Sequence, residues 1–293
     1  RTHTRDPKIW RGKDAWYLIL GSTVEEKYGE VLFYRSEDLH TWTYINKAWK
    51  GPEYGWMWEC PDYFKTDGGE VLMLSAMKLL PDHVKERNQS ICFPVTFDEA
   101  SCGLQIPDAY QYLDYGLDLY APQTTLDKDG LRTMIAWVRM PRVTEEGWIG
   151  MFCSPRVVDV ENGHIFFRLH PNIRNAYSRA VRDVKDVSDN GYMASFDLED
   201  GETADIGGFI IARKGNRIVT DRSSVYPAFK GAHLISETPE LKGGCHLDVL
   251  VDPHLVEVYI NDGEYAISNA VYNLGNEIRC GEDKKILLYT TAI

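Results

Sequence analysis

Val256-Glu257-Val258-Tyr259-Ile260-Asn261-Asp262-Gly263 reads as one short β-strand closed by a turn. β-Branched and aromatic residues favour the extended backbone, and an Asn-Asp-Gly run supplies the positive φ angles of a tight hairpin. The same grammar recurs along the 293-residue chain. Trp16 to Leu20, Val31 to Tyr34, Val71 to Ala76, Thr133 to Val138, Gly208 to Ala212, Leu247 to Val251 and Ile286 to Tyr289 are short and apolar or alternating. Asp67-Gly68-Gly69, Asp129-Gly130, Asn162-Gly163 and Asn190-Gly191 punctuate them as turn signals. No segment keeps a helical period over three turns. The pattern predicts an all-β protein.

Composition narrows the partners. Apolar residues make up 44% and charged residues 26%, the balance of a soluble globular protein rather than of a disordered chain. A formal charge of −12 argues against a basic stripe for a phosphate backbone, so no nucleic acid is expected. A neutral ligand such as a sugar fits it. No run of about 18 apolar residues is present, so no membrane span is expected. Residues 1–6 lack an apolar core and do not read as a signal peptide; cytoplasmic and secreted locations both fit.

Cys60, Cys92, Cys102, Cys153, Cys245 and Cys280 are scattered without a Cys-x-x-Cys pair, which predicts reduced thiols and no zinc site. The histidines show no ligand spacing, and Asp127-Lys128-Asp129-Gly130 reads as a hairpin turn rather than a calcium loop. Neither a metal nor a cofactor is expected.

A shift in tryptophan usage divides the chain. Trp10, Trp16, Trp42, Trp49, Trp56, Trp58, Trp137 and Trp148 all precede residue 160, and none follows it. A flat indole packs against the apolar face of a sugar while its N–H reaches a hydroxyl, although the same ring also fills β cores. The expected organisation is a first β domain over 1–160, a linker over 161–173, and a β-sandwich over 174–293. Turn signals at sandwich-like intervals support the last part.

Two short acidic motifs sit beside strands of the first part. Arg5-Asp6-Pro7 precedes Ile9-Trp10 and Trp16 to Leu20, and Trp58-Glu59-Cys60-Pro61-Asp62 precedes Val71 to Leu74. Carboxylates brought together from separate strands are what glycosidic bond cleavage requires: one donates a proton while another handles positive charge on the sugar. Each residue also has a plainer explanation. Glu59 alone reads as a solvated strand end, and Asp6 as a turn residue before proline. Asp118, between Leu117 and Leu119, reads as a hydrogen-bond hub, because a buried carboxylate needs a partner.

Taken in order, these residues resemble glycoside hydrolase family 32, the invertases, levanases and inulinases. Arg5-Asp6-Pro7-Lys8-Ile9-Trp10 is similar to its second-carboxylate motif, and Tyr34-Arg35-Ser36-Glu37-Asp38-Leu39-His40-Thr41-Trp42 to its recurring blade segment. Trp58 to Asp62 resembles its acid/base motif. Asp118-Leu119-Tyr120-Ala121-Pro122-Gln123 resembles its Asp-Phe-Tyr-Ala-Pro-Gln segment with Leu119 for Phe. Gly147-Trp148-Ile149-Gly150, Pro155-Arg156 and Val256 to Glu264 extend the likeness over nearly the whole chain.

The resemblance implies a five-bladed β-propeller, here partial, followed by a β-sandwich, and a retaining hydrolysis of β-fructofuranosides. Sucrose or a fructose-containing oligosaccharide of the inulin or levan type would be the partner. Glu59 would be the general acid/base and Asp6 the transition-state stabiliser. Arg5 would fix Asp6, Cys60 would tune Glu59, and Asp118, Trp58 and Tyr120 would complete the substrate-binding set. Physical reasoning agrees on the charges. Trp56, Trp58, Cys60 and Pro61 around Glu59 would desolvate it and favour the protonated form it needs, while Arg5 and Lys8 would keep Asp6 ionised.

The family's nucleophile lies in an Asn-Asp-Pro-Asn motif, and no Asn-Asp-Pro occurs here. Glu53, Asp62 and Asp118 are the substitutes on offer, each in a segment with its own structural task. The chain is therefore expected to be inactive alone, either as the C-terminal portion of a longer fructosidase or as a short binding protein. Open strand edges of an incomplete propeller would favour association, including as a homo-oligomer. A furanosidase of arabinose type and a non-catalytic carbohydrate-binding or assembly module are the competing readings.

Overall fold

The computed structural model describes residues 3–80, 87–187, 191–281 and 284–292, with Arg87 described by its backbone. The chain is nearly all β, as the strand grammar predicts. The first sheet is an antiparallel meander, β1 (Thr4–Arg11), β2 (Trp16–Val24), β3 (Tyr28–Ser36) and β4 (Thr43–Trp49), in that order. The second runs β5 (Met57–Thr66), β6 (Gly69–Leu79), β7 (Arg87–Asp98) and β8 (Gly103–Gln105), with β9 (Gln111–Tyr112) also on β7. The third contains β10 (Leu119–Leu126), β11 (Arg132–Val138), β12 (Met151–Phe152), β13 (Arg156–Glu161) and β14 (His164–Leu169) in the order β10-β11-β13-β14, with β12 on β11. Sequential four-stranded antiparallel sheets of this kind are propeller blades.

Contacts group the chain into two compact units. Unit 1 comprises Arg1–Leu113, Tyr120–Ala136 and Val158–Ile165; unit 2 comprises Asp114–Leu119, Trp137–Val157 and Phe166–Ile293. In unit 1 the alternation of β2 turns Tyr17 and Ile19 inward, where they join Phe33, Trp58, Leu72, Leu74, Ile91 and Phe93 in one core. Close passage of β5 depends on two glycines. A Cβ at Gly21 would lie 2.2 Å from the Trp58 carbonyl oxygen, and one at Gly29 would lie 2.2 Å from the Trp58 ring. Any larger residue at either site would push β5, and with it Glu59, out of place.

Unit 2 is a β-sandwich. One sheet has the order β15-β25-β16-β21-β22-β23, from β15 (Arg179–Val181), β16 (Tyr192–Asp197), β21 (His246–Asp252), β22 (Leu255–Ile260), β23 (Tyr265–Ala270) and β25 (Leu287–Thr290). The other has the order β20-β19-β18-β17-β24, from β17 (Thr203–Ile206), β18 (Phe209–Lys214), β19 (Arg217–Asp221), β20 (Ile235–Glu237) and β24 (Ile278–Cys280). Alternate residues of each, such as Val256, Val258 and Ile260 against Ile206, Phe209 and Ile211, form a shared core. The opposite face of β22 and β23 is covered too: Tyr259 and Ala266 pack with Leu169, Met193 and Leu250. Both strands are therefore buried along their full length.

One expectation needs correction. Part of the expected linker is a strand: His164–Leu169 alternates half-exposed and buried residues and completes the third sheet. The turn at Asn190-Gly191 falls partly outside the described residues. The remaining turn signals hold, with Asn162, Asn261 and Asp262 at positive φ beside their glycines. One turn carried no signal. Glu25 and Glu26, at φ 50° and 57°, close β2 onto β3 without a glycine or asparagine.

Candidate active site

β1, β5 and β10 each contain a proline preceded by a residue in the left-handed region: Asp6 at φ 59°, Cys60 at 48° and Ala121 at 52°. Such a backbone costs a non-glycine residue about 1–2 kcal/mol, so tertiary structure must hold it. In β1 and β5 the step is a β-bulge. Arg5 pairs with Gly21 and Lys8 with Ile19, so three steps along β1 match two along β2. Likewise Glu59 pairs with Ser75 and Asp62 with Met73. Side chains three apart in a regular strand face opposite ways; the extra residue of the bulge brings them to one face.

That geometry assembles a cluster within unit 1. Arg5 Nη1 donates to Glu59 Oε1 at 2.8 Å, and the Tyr120 hydroxyl donates to Glu59 Oε2 at 3.0 Å. Asp6 Oδ2 accepts from the Cys60 N–H at 2.9 Å and from its thiol at 3.6 Å. His3 Nδ1 lies 3.2 Å from Arg5 Nη2, and its Nε2 lies 3.2 Å from Glu26. Glu59 keeps 18% of its side chain exposed and Arg5 37%, so the cluster is open to a ligand rather than sealed in the core. Of the residues picked out from the sequence, the structure thus joins Arg5, Asp6, Glu59, Cys60 and Tyr120.

Two others lie elsewhere. Trp58, expected to bind substrate, is fully buried; its indole N–H donates to the Tyr54 carbonyl at 2.8 Å and its ring lies over Gly29. Strand alternation explains this, because Trp58 and Glu59 are neighbours and face opposite sides. Asp118 is a hub within unit 2. Arg222 grips both of its oxygens, and the Ala270 N–H donates to Oδ2 at 2.8 Å. No hydrogen bond among the described residues joins it to the Asp6–Glu59 cluster. Of the proposed nucleophile substitutes, Asp62 is fully buried and Glu53 is exposed.

Lys8, Gln123 and Thr124 are the residues that sequence reasoning missed or treated as bystanders. The Lys8 ammonium donates to Asp62, Gln123 and the Thr124 carbonyl. A repeat was available as a signal: Pro7, Pro61 and Pro122 each sit one residue before Lys8, Asp62 or Gln123 and two after Arg5, Glu59 or Tyr120.

The Cys60 thiol is a hydrogen-bond donor to Asp6, not to Glu59. Burial first, and then the charge of Asp6 and the bond to it, raise the thiol pKa from its ordinary 9.0 to about 12. The fold therefore favours the neutral thiol. That contribution is complete below pH 9 and lost as pH rises through about 12. At pH 8 the thiolate fraction should be about a thousandfold below that of an ordinary thiol. Iodoacetamide should leave Cys60 intact at pH 8 while consuming a free thiol peptide, with a rate that climbs as the pH approaches 11. Rapid labelling at pH 8 would show that the thiol is not held.

Family models decide the class. The N-terminal domain of glycosyl hydrolases family 32 matches residues 1–171, and the family 32 C-terminal domain matches residues 184–289. The chain belongs to glycosyl hydrolase family 32. Among curated relatives of this family 32 chain, sucrose-6-phosphate hydrolase of Vibrio alginolyticus is 26% identical over 92% of the chain and 60% of the relative. The enzyme of that name from Bacillus subtilis is 28% identical over 91% and 61%. The family 32 chain thus spans about 60% of the length of these relatives.

Solved structures agree on the fold. A Bombyx mori GH32 beta-fructofuranosidase superimposes with a TM-score of 0.82 at 24% identity, covering 98% of this chain and 66% of that one. A mutant of the same protein has been solved in complex with sucrose. Sucrose-6-phosphate hydrolase from Lactobacillus gasseri gives 0.82 at 21% identity, over 99% and 66%. The propeller-plus-sandwich architecture is the shared feature.

Proposed function

We propose that this family 32 chain carries the acid/base and the transition-state stabiliser of a β-fructofuranosidase, acting on fructosides of the sucrose, inulin or levan type. The observation that carries the reading is the crossed bonding of the two carboxylates. Arg5, next to Asp6, bonds Glu59, and Cys60, next to Glu59, bonds Asp6. One fructosyl ring between β1 and β5 meets both.

Glu59 gives its proton to the leaving oxygen and later takes one from water. Tyr120 suits both steps, since a hydroxyl donates to a carboxylate and accepts from a carboxyl. Arg5 serves the ionised form. Asp6 binds ring hydroxyls through charge-assisted hydrogen bonds and balances the positive charge of the oxocarbenium-like transition state. Among the described residues the Cys60 N–H and thiol hold Oδ2 of Asp6, and Oδ1 serves the sugar.

Retention also requires a nucleophile about 5–5.5 Å from the acid/base. Among the described residues, the carboxylates the cluster offers to the sugar are Asp6 and Glu59, while Asp62 is fully buried with its Oδ2 held by Lys8 and Thr124. Purified residues 1–293 should therefore bind fructose or inulin oligomers in isothermal titration and release no glucose from sucrose. Turnover by this chain would overturn the division of labour. Absence of binding would remove the sugar site itself and leave an assembly module as the better reading.

A further inference from the structure

Below the carboxylates runs a second tier of side chains, one step further along the same three strands. Lys8 follows Arg5 on β1, Asp62 follows Glu59 on β5, and Gln123 follows Tyr120 on β10, each across its proline. The bulges of β1 and β5 turn Lys8 and Asp62 to the same face as Arg5 and Glu59. The three protons of the Lys8 ammonium have three acceptors: Asp62 Oδ2 at 3.2 Å, Gln123 Oε1 at 3.1 Å and the Thr124 carbonyl at 2.5 Å. Asp62 Oδ2 also receives the Thr124 N–H at 2.7 Å and hydroxyl at 2.9 Å. Gln123 Nε2 then reaches back to the Cys60 carbonyl at 3.3 Å. The lower tier thus ties β1, β5 and β10 together and ends on the bulge residue that holds Asp6.

We propose that Lys8 and Gln123 are positioning residues for the Asp6–Glu59 pair, clamping β1, β5 and β10 in the register that presents both carboxylates. The assignment of the pair to sugar chemistry rests on the function proposed above; the clamp itself does not. Packing alone gives no reason for these polar groups. Replacing such an ion pair by apolar side chains of the same volume is often neutral for stability, so what it has to offer is directional geometry. Directional bonds from one ammonium to two strands oppose the relaxation of left-handed Cys60 and Ala121 toward ordinary backbone.

The test uses thiol labelling in the intact chain and needs no sugar. Cys60 lies in the clamped bulge, whereas Cys92 is buried in β7 of the same unit and reports general opening. Lys8→Met and Gln123→Leu should each raise the iodoacetamide rate at Cys60 at least tenfold and leave the rate at Cys92 within twofold of the parent. Equal acceleration at both cysteines, or none at either, would overturn the clamp. Gln123→Leu removes no charge and decides the matter if Lys8→Met does not fold. Failure to bind fructose would count against the function above without touching this result.

Discussion

Asp6→Asn should weaken fructose binding by residues 1–293 about a hundredfold and leave the fold in place. Asparagine tolerates the left-handed backbone that Asp6 adopts at φ 59° and keeps an oxygen for the Cys60 N–H. The negative charge goes, and the sugar-facing oxygen becomes an amide N–H donor. Hydrogen bonds to a charged group contribute about 1.5–3 kcal/mol and neutral ones about 0.5–1.5, so losing the charge toward two hydroxyls costs about 3 kcal/mol. Each 1.4 kcal/mol is a factor of ten in the dissociation constant. Titration calorimetry reads the affinity, and circular dichroism checks the fold. Unchanged affinity would take Asp6 out of the sugar site.

The largest effect on stability is expected at Arg156. Its guanidinium is fully buried in unit 2, donating to Asp114 Oδ2 at 2.7 Å and Glu257 Oε1 at 2.9 Å, with the Tyr259 ring 5.2 Å away. Arg156→Met would leave two buried carboxylates facing each other without a cation. Breaking a buried pair costs about 3–5 kcal/mol, against about 5–15 kcal/mol for a whole domain. The urea midpoint of the sandwich should fall sharply. Arg168→Met, which loses a pair to the largely exposed Asp262, should change stability by less than about 1 kcal/mol. Equal midpoints for the two variants would show that the buried network is not what holds unit 2.

The strands were legible because their pattern is local. Val256, Val258 and Ile260 alternate with Glu257 and Tyr259, and the Asn261-Asp262-Gly263 turn has the positive φ angles that its residues favour. Misreadings arose where position depends on partners far away in sequence. Trp58 looks like a sugar platform beside Glu59, yet the space left by Gly29 draws it into the core. Asp118 lies in the family's site segment, yet it is the hydrogen-bond hub that its apolar flanks suggest; which partner it takes is not local, since Arg222 lies 104 positions later. Glu257, read only as part of a strand, is buried on Arg156 from 101 positions earlier.

Arg5, Asp6, Glu59 and Cys60 were found because the motifs are contiguous. Their lower tier was missed because Arg5 and Lys8, three apart, belong to opposite faces of a regular strand. Only the bulge at Asp6-Pro7 reverses that, and a bulge is an event of strand pairing rather than of composition. Three X-Pro steps at matching places were the available trace.

A crystal structure of residues 1–293 with fructose bound tests the central claim most directly. The account predicts the ring between β1 and β5, hydroxyls on Asp6 Oδ1, and the anomeric substituent within hydrogen-bond reach of Glu59. Fructose bound elsewhere would contradict it, for example in the cavity of about 470 Å³ that unit 2 forms around Trp148, Phe152, Tyr177 and Asp252, with the two carboxylates left bare.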